Sequence, residues 1–164
     1  MKRSASDRSC SKRVSERAGP GTALRITAVR RLTIRTDRRT QLVDITRRVE
    51  EAVEEALVGA EAGAALVYVP HTTAGVTINE SADPAVARDL EAALERLVDD
   101  GWPWQHVDDP DGPNAPSHVR ASLLGPQVLV PVDGGKLALG RWQGIFFCEL
   151  DGPRERTVLV TPLS

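Results

Sequence analysis

QVLVPVDGGKLALGRWQGIFFCELDGPRERTVLVT, residues 127–161, decides the fold class. Short apolar runs at Gln127–Val132, Lys136–Leu139, Gly144–Leu150 and Thr157–Thr161 are separated by Asp133-Gly134-Gly135 and Asp151-Gly152-Pro153. Asp-Gly and Gly-Gly between apolar runs are hairpin chemistry, because glycine accepts the positive φ that such turns require. Antiparallel sheet is therefore expected here.

Upstream the periodicity changes. Ile45, Val49, Ala52, Val53, Ala56 and Leu57 recur at helical spacing behind Asp44 as a cap, with Gly59 or Gly63 as the stop. Val86, Leu90, Ala93, Leu94, Leu97 and Val98 form the apolar face of a second helix, capped by Ser81 or Asp83, opened by Pro84 and ended by Gly101. Between them, Ala64–Pro70 reads as a buried strand that delivers HTTAGVTINE, residues 71–80. Leu24, Ile26, Ala28, Leu32 and Ile34 alternate with Arg and Thr, as in an edge strand or a hairpin arm. The class is α+β, two main helices against a sandwich-like antiparallel sheet. Residues 101–117, rich in Pro, Gly and Asp, read as a long loop.

The chain has 164 residues and a net charge of −2, which hides a split: residues 1–48 carry +10 and the rest −12. Residues 1–21 are Ser- and Arg-rich without hydrophobic period, a disordered basic tail, and 22–164 form one domain. No apolar stretch approaches the roughly 18 residues of a membrane span. Two distant cysteines, Cys10 and Cys148, indicate neither a disulfide framework nor a paired-cysteine zinc motif, so a cytoplasmic setting is expected. Six aromatic residues offer little for stacking bases, and the basic residues lie mainly in the tail and first strand, so nucleic acid is not an expected partner.

Candidate chemistry centres on the three histidines, His71, His106 and His118, all in or beside polar, turn-rich segments. If they converge, neutral imidazoles suit a divalent transition metal, with Glu149 completing or flanking the set. His71-Thr72-Thr73-Ala74-Gly75 sets an acid/base group and two hydroxyls on a backbone that could cradle an anion through its N–H groups, or forms a tight strand-to-strand crossing, and Asp108, Asp109 and Asp111 form a solvated loop or a hard-cation site. Glu149 in an apolar strand needs a partner, an arginine being the simplest. Arg154 and Arg156 alternate onto one strand face. A P-loop, GxSxG, HExxH and GxGxxG are all missing.

HTTAGVTINESADP, His106 before an acidic loop, DGPNAPSHVRASLLGP and GGKLALGRWQGIFFCELDGPRERTVLV together resemble the ordered motifs of the YjbQ-like family, whose members are also named secondary thiamine-phosphate synthases. The resemblance runs from about Leu32 to Val160. It implies an α+β fold assembled as a homotrimer. It places His71, Asn79, Glu80, Asn114, Trp142, Gln143, Glu149 and Arg154 in the site, with His71, His106 and His118 as holders of a divalent metal, Mg or Zn. Arg141 stands where relatives commonly carry threonine, and Trp102-Pro103-Trp104 precedes His106 where tyrosine is usual.

The activity implied joins a pyrimidine methyl pyrophosphate to a thiazole phosphate, so the partner is a small phosphorylated molecule. Arg154, Arg141 and Lys136 are then candidate anion holders, His71 or His118 metal ligands or acid/base groups, and Trp142 a stacking wall. A metal-dependent hydrolase using His71, His106, His118 and Glu149 is the alternative, as is a trimeric protein that binds metal or ligand without turnover.

Overall fold

The computed structural model describes residues 28–57, 62–110 and 112–164. The basic tail, Leu24, Ile26, Gly59 and Asp111 lie outside the described residues. Eight strands and three helices follow in the order β1 (Arg30–Arg35), β2 (Gln41–Asp44), α1 (Thr46–Ala56), β3 (Ala62–Tyr68), β4 (Ala74–Glu80), α2 (Pro84–Leu97), α3 (Ala115–Leu124), β5 (Gln127–Asp133), β6 (Lys136–Leu137), β7 (Gln143–Glu149) and β8 (Glu155–Leu163).

The strands form two antiparallel sheets, β1-β8-β3-β5-β6 and β2-β7-β4. Their facing residues share one core with α1: Ile34, Val67, Val130, Val158 and Val160 from the larger sheet, Val76, Ile145 and Phe147 from the smaller, Val49 and Val53 from the helix. The chain passes from one sheet to the other several times, and two of these crossings carry site residues: His71–Thr73 from β3 to β4, the first, and Leu150–Arg154 from β7 to β8, the second. The mixed α+β class is as expected, and no helix among the described residues is long and apolar enough to cross a membrane.

Several local readings hold. Asp44 accepts the N–H of Thr46 at 2.8 Å, and Ile45, Val49, Ala52, Val53 and Leu57 are buried behind it. Asp83 accepts the N–H of Ala85 at 2.8 Å, with Pro84 opening α2. Gly134 and Gly135 take φ of 56° and 75°, the left-handed pair that a two-residue hairpin turn needs. Among the described residues β1 is a sheet edge, with Ile34 inward and Arg31, Thr33 and Arg35 exposed.

Others are corrected. Among the described residues there are three helices rather than two: α3 occupies the end of the stretch expected to be a loop and continues to Leu124. Its buried face is Ala115, Ser117, Arg120 and Ala121, so polarity concealed it. Ser117 donates through its hydroxyl to Leu150 O, and Arg120 through Nη2 to Val98 O and Asp100 Oδ1, which lets these groups lie inside. On α2, Leu97 is 64% exposed and Ala93 also faces solvent, while Glu91 is buried instead. Glu91 receives a fork from Arg38 (2.7 and 3.0 Å) and the N–H of Leu42 at 2.8 Å, an ionic substitute for apolar packing. β6 stops at Leu137, short of Leu139.

Candidate functional site

Glu149 ends β7, paired with Gln41 on one side and Ala74 on the other, and none of its surface is exposed. Arg156 on β8 reaches it with a fork, Nε to Oε2 at 2.8 Å and Nη2 to Oε1 at 2.7 Å. The carboxylate also accepts the Thr36 hydroxyl at 3.2 Å and the N–H groups of Leu150 and Asp151 at 3.1 Å each. Burial pushes the Glu149 carboxyl up, but the guanidinium, the Asp151 N–H and the Thr36 hydroxyl together hold it below the ordinary carboxylate value. Glu149 is thus a saturated, ionised acceptor, paired with an arginine as the sequence reading allowed.

Arg156 Nη2 also donates to the Thr73 hydroxyl at 3.0 Å, tying this pair to the first crossing. Next to it, His71 Nε2 accepts the backbone N–H of Thr157 at 3.0 Å. A neutral imidazole whose Nε2 accepts must carry its proton on Nδ1, so His71 offers a donor. Burial, then the nearby Arg156 charge, lowers the His71 pKa, which keeps the ring neutral near pH 7.

His71 lines a cavity of about 530 Å³ with Tyr68, Thr72, His118 and Ser122. His118, on α3, is also a wall of an adjoining cavity of about 610 Å³ formed with Trp104, His106 and Val119. The His106 and His118 rings lie edge to face with centroids 5.4 Å apart. His71 thus lines one cavity, His106 the other and His118 both, and the two cavities together are referred to as the groove. Among the described residues no three His, Cys, Asp or Glu side chains are gathered as a metal cluster.

The family model described as UPF0047 protein YjbQ-like matches residues 30–164. The UPF0047 protein YugU of Bacillus subtilis is 47% identical over 130 residues, 79% of this chain and 94% of that protein. The chain belongs to the UPF0047, YjbQ-like family. A UPF0047 protein of Methanocaldococcus jannaschii is 44% identical over 77% of this chain and 88% of its own. The solved structure of a YbjQ-like protein of unknown function from Sulfolobus solfataricus superposes with a TM-score of 0.78 at 35% identity, covering 86% of this chain and 99% of that one.

The remaining residues that the YjbQ-like motifs pointed to fall into two groups. Asn114, which precedes α3, donates through Nδ2 to Asp151 at 3.2 Å and Asp109 at 3.4 Å. Arg154 donates to Asp151, through Nε to the backbone O at 2.7 Å and through Nη2 to the carboxylate at 2.8 Å. These two brace the second crossing beside Glu149. Asn79, Glu80, Trp142 and Gln143 lie at the opposite ends of β4 and β7, where Glu80 pairs with Gln143. Six residue steps of strand take Ala74 to Glu80, about 20 Å at roughly 3.3 Å per step. One chain therefore does not bring the whole set together.

Of the proposed anion holders, Lys136 lines a separate pocket with Glu50 and Glu54, and the Arg141 guanidinium sits 4.7 Å from the Trp142 ring centre. Sequence reasoning noticed Arg156 only as a strand-face partner of Arg154 and Thr73 only as a hydroxyl of the stretch from His71 to Gly75, and it did not single out Thr36. The buried acid in β7 was the signal that a buried base had to face it.

Proposed function

We propose that the groove binds a small organic molecule with an apolar or aromatic body and an oxygen-bearing head, and that the protein hydrolyses it with the help of a divalent transition metal. The observation that carries this is that the three histidines line two cavities, His71 one, His106 the other, with His118 common to both. His106 and His118 fit as two metal donors: imidazole nitrogens about 2.1 Å from a shared ion in tetrahedral array set ring centres a little over 5 Å apart, against the 5.4 Å found. Imidazole donors favour zinc over magnesium. When bound, such an ion supplies a Lewis acid and an acidified water.

The chain's own residues do the rest. His71 donates from Nδ1 to an oxygen of the bound molecule, and its low pKa keeps that proton in place without adding charge. The Thr72 and Ser122 hydroxyls orient the polar head, while Trp104, Pro103 and Val119 receive the apolar body and exclude water. Glu149 stays out of the chemistry and holds Arg156, which in turn fixes the Thr73 end of the crossing.

Thiamine-phosphate synthesis would require cationic side chains on the leaving pyrophosphate. Among the residues lining the two cavities none is Lys or Arg, so hydrolysis is the better supported reading. The test is zinc titration by calorimetry of wild type, His106→Ala and His118→Ala, followed by assays of the zinc-loaded protein on carboxylic and phosphate esters and on the two thiamine precursors. We expect each alanine to weaken zinc at least tenfold and to abolish ester hydrolysis. Zinc binding indifferent to both substitutions, or thiamine phosphate as the sole product, would overturn the reading.

A further inference from the structure

The acids of the loop before α3, Asp108 and Asp109 among them, allow a hard-cation site on sequence grounds, and neither cavity of the groove is lined by them. The structure brings Asp109 to a second acid far away in the chain. Gly112 N donates to Asp109 O at 2.9 Å, closing a tight turn just before Asn114, and Asp151 of the β7–β8 crossing meets the same Asn114 carboxamide that Asp109 does.

Asn114 sits between the two carboxylates and is only 5% exposed. Its contacts are poor in two respects. Nδ2 lies 3.2 Å from Asp151 Oδ2 and 3.4 Å from Asp109 Oδ2, although N–H···O bonds centre on about 2.9–3.0 Å and shorten when the acceptor is charged. Oδ1 is buried and, among the described residues, has no hydrogen-bond partner, a state that native proteins avoid. Turning the carboxamide about its Cβ–Cγ bond exchanges its nitrogen and oxygen. Oδ1 then faces two carboxylate oxygens at the distances now held by Nδ2, a repulsive grouping unless a cation lies among them. Neighbouring oxygens in an octahedral shell are about 3.4 Å apart around calcium and about 3.0 Å apart around magnesium, from bond lengths of about 2.4 and 2.1 Å. The spacing at Asn114 is nearer to calcium's. Charge agrees with this. Asp109 and Asp151 carry two negative charges against that of Arg154, whose Nη2 donates to Asp151 Oδ2 at 2.8 Å, and Arg39 is turned to Asp100 at 3.8 Å.

We propose that Asp109 Oδ2, Asp151 Oδ2 and Asn114 Oδ1 bind a calcium ion, with waters completing its shell of about six to eight oxygens. The ion ties the loop before α3 to the β7–β8 crossing and so fixes the start of the helix that carries His118. The site shares no residue with the groove and stands whether or not the groove hydrolyses anything. With three protein oxygens, and Arg154 competing for Asp151, the affinity falls in the weak class, Kd about 10⁻⁴–10⁻³ M.

Thermal unfolding of the chelator-stripped full chain in calcium or magnesium up to about 20 mM tests this, because an ion held only by the folded state raises Tm. We expect calcium to raise Tm by several degrees and magnesium to need at least tenfold higher concentration for the same shift. Asn114→Leu keeps the branched shape and removes the oxygen, and Asp109→Ala alters only the loop. Each, checked for native circular dichroism, should move the calcium dependence at least tenfold to higher concentration. Asn114→Asp, which supplies a charged oxygen, should bind calcium more tightly than wild type. The His106→Ala/His118→Ala double variant should respond to calcium as wild type does, whereas the zinc of the functional reading needs those histidines. A wild type indifferent to about 20 mM calcium, a calcium response unchanged by both Asn114→Leu and Asp109→Ala, or one abolished with the histidines would overturn the inference.

Discussion

Replacing Arg156 by methionine removes the fork on Glu149 while keeping most of the aliphatic length. The buried carboxylate would keep only the Thr36 hydroxyl and the N–H groups of Leu150 and Asp151. Removing one partner of a buried ion pair costs about 3–5 kcal/mol, a large part of the roughly 5–15 kcal/mol that holds a domain together. At about 3 °C per kcal/mol for a domain of this size, Tm should fall by about 10–15 °C. The pH dependence gives the sign. In wild type the folded Glu149 pKa is lowered, so its stabilisation is present above the unfolded value of about 4.3 and is lost as pH falls through the folded one. In the variant burial acts without the guanidinium and raises that pKa, so the folded state prefers the neutral acid and the penalty shrinks on acidification. Urea unfolding at pH 7 and pH 4 should therefore show a wide gap between the two proteins at pH 7 and a narrow one at pH 4. The double variant Glu149→Leu/Arg156→Met should recover part of the loss, because no charge is left buried alone. A penalty under about 1 kcal/mol at pH 7, or one equal at both pH values, would refute the reasoning.

Other outcomes follow from the same geometry. Nitrogen NMR of His71 should show the Nδ1–H tautomer and a titration below that of an ordinary histidine; because the folded pKa is lowered, stability declines as pH falls through and below about 6.5, and a His71 that titrates above that value would contradict the site. Gly63→Ala places a methyl group against the carbonyl oxygen of Leu163 and should cost about 1–3 kcal/mol by forcing β8 from β3, read as a lowered denaturation midpoint. Cys148 is buried, and burial pushes its thiol up to about 12; in a Cys10→Ser background iodoacetamide at pH 8 should modify it only after unfolding, and prompt alkylation of the native protein would show the β7 core to be open.

The strands after Gln127 and the helix behind Asp44 were legible from their apolar spacing, and Gly134-Gly135 marked a true hairpin, whereas Asp151-Gly152-Pro153, read as a second hairpin turn, carries the chain from β7 in one sheet to β8 in the other, and Gly63, read as a helix stop, lies in β3. α3 was not, since its inward residues include Ser117 and Arg120, whose burial depends on acceptors, Leu150 O and Val98 O, that sequence spacing cannot supply. β2, only four residues long, was equally invisible, as its pairing with β7 rather than its own pattern makes it a strand. For the site, the scarcity of histidine drew attention to three residues that line two cavities, with His118 common to both. That Asn79, Glu80, Trp142 and Gln143 lie far from these cavities follows from the length of β4 and β7, which becomes meaningful only once their pairing is known.

β8 is the last strand in chain order, yet it lies inside the larger sheet, between β1 and β3. Arg30 faces Val160 across one pairing and Tyr68 faces Leu159 across the other. Until β8 emerges from the ribosome, β1 has no neighbour, β3 has one bare edge, and neither Arg156 nor the Thr157 N–H is there to receive Glu149 and His71. Such long-range pairing slows folding, and it makes the groove a late product of synthesis: a nascent chain holds its histidines well before it holds a site.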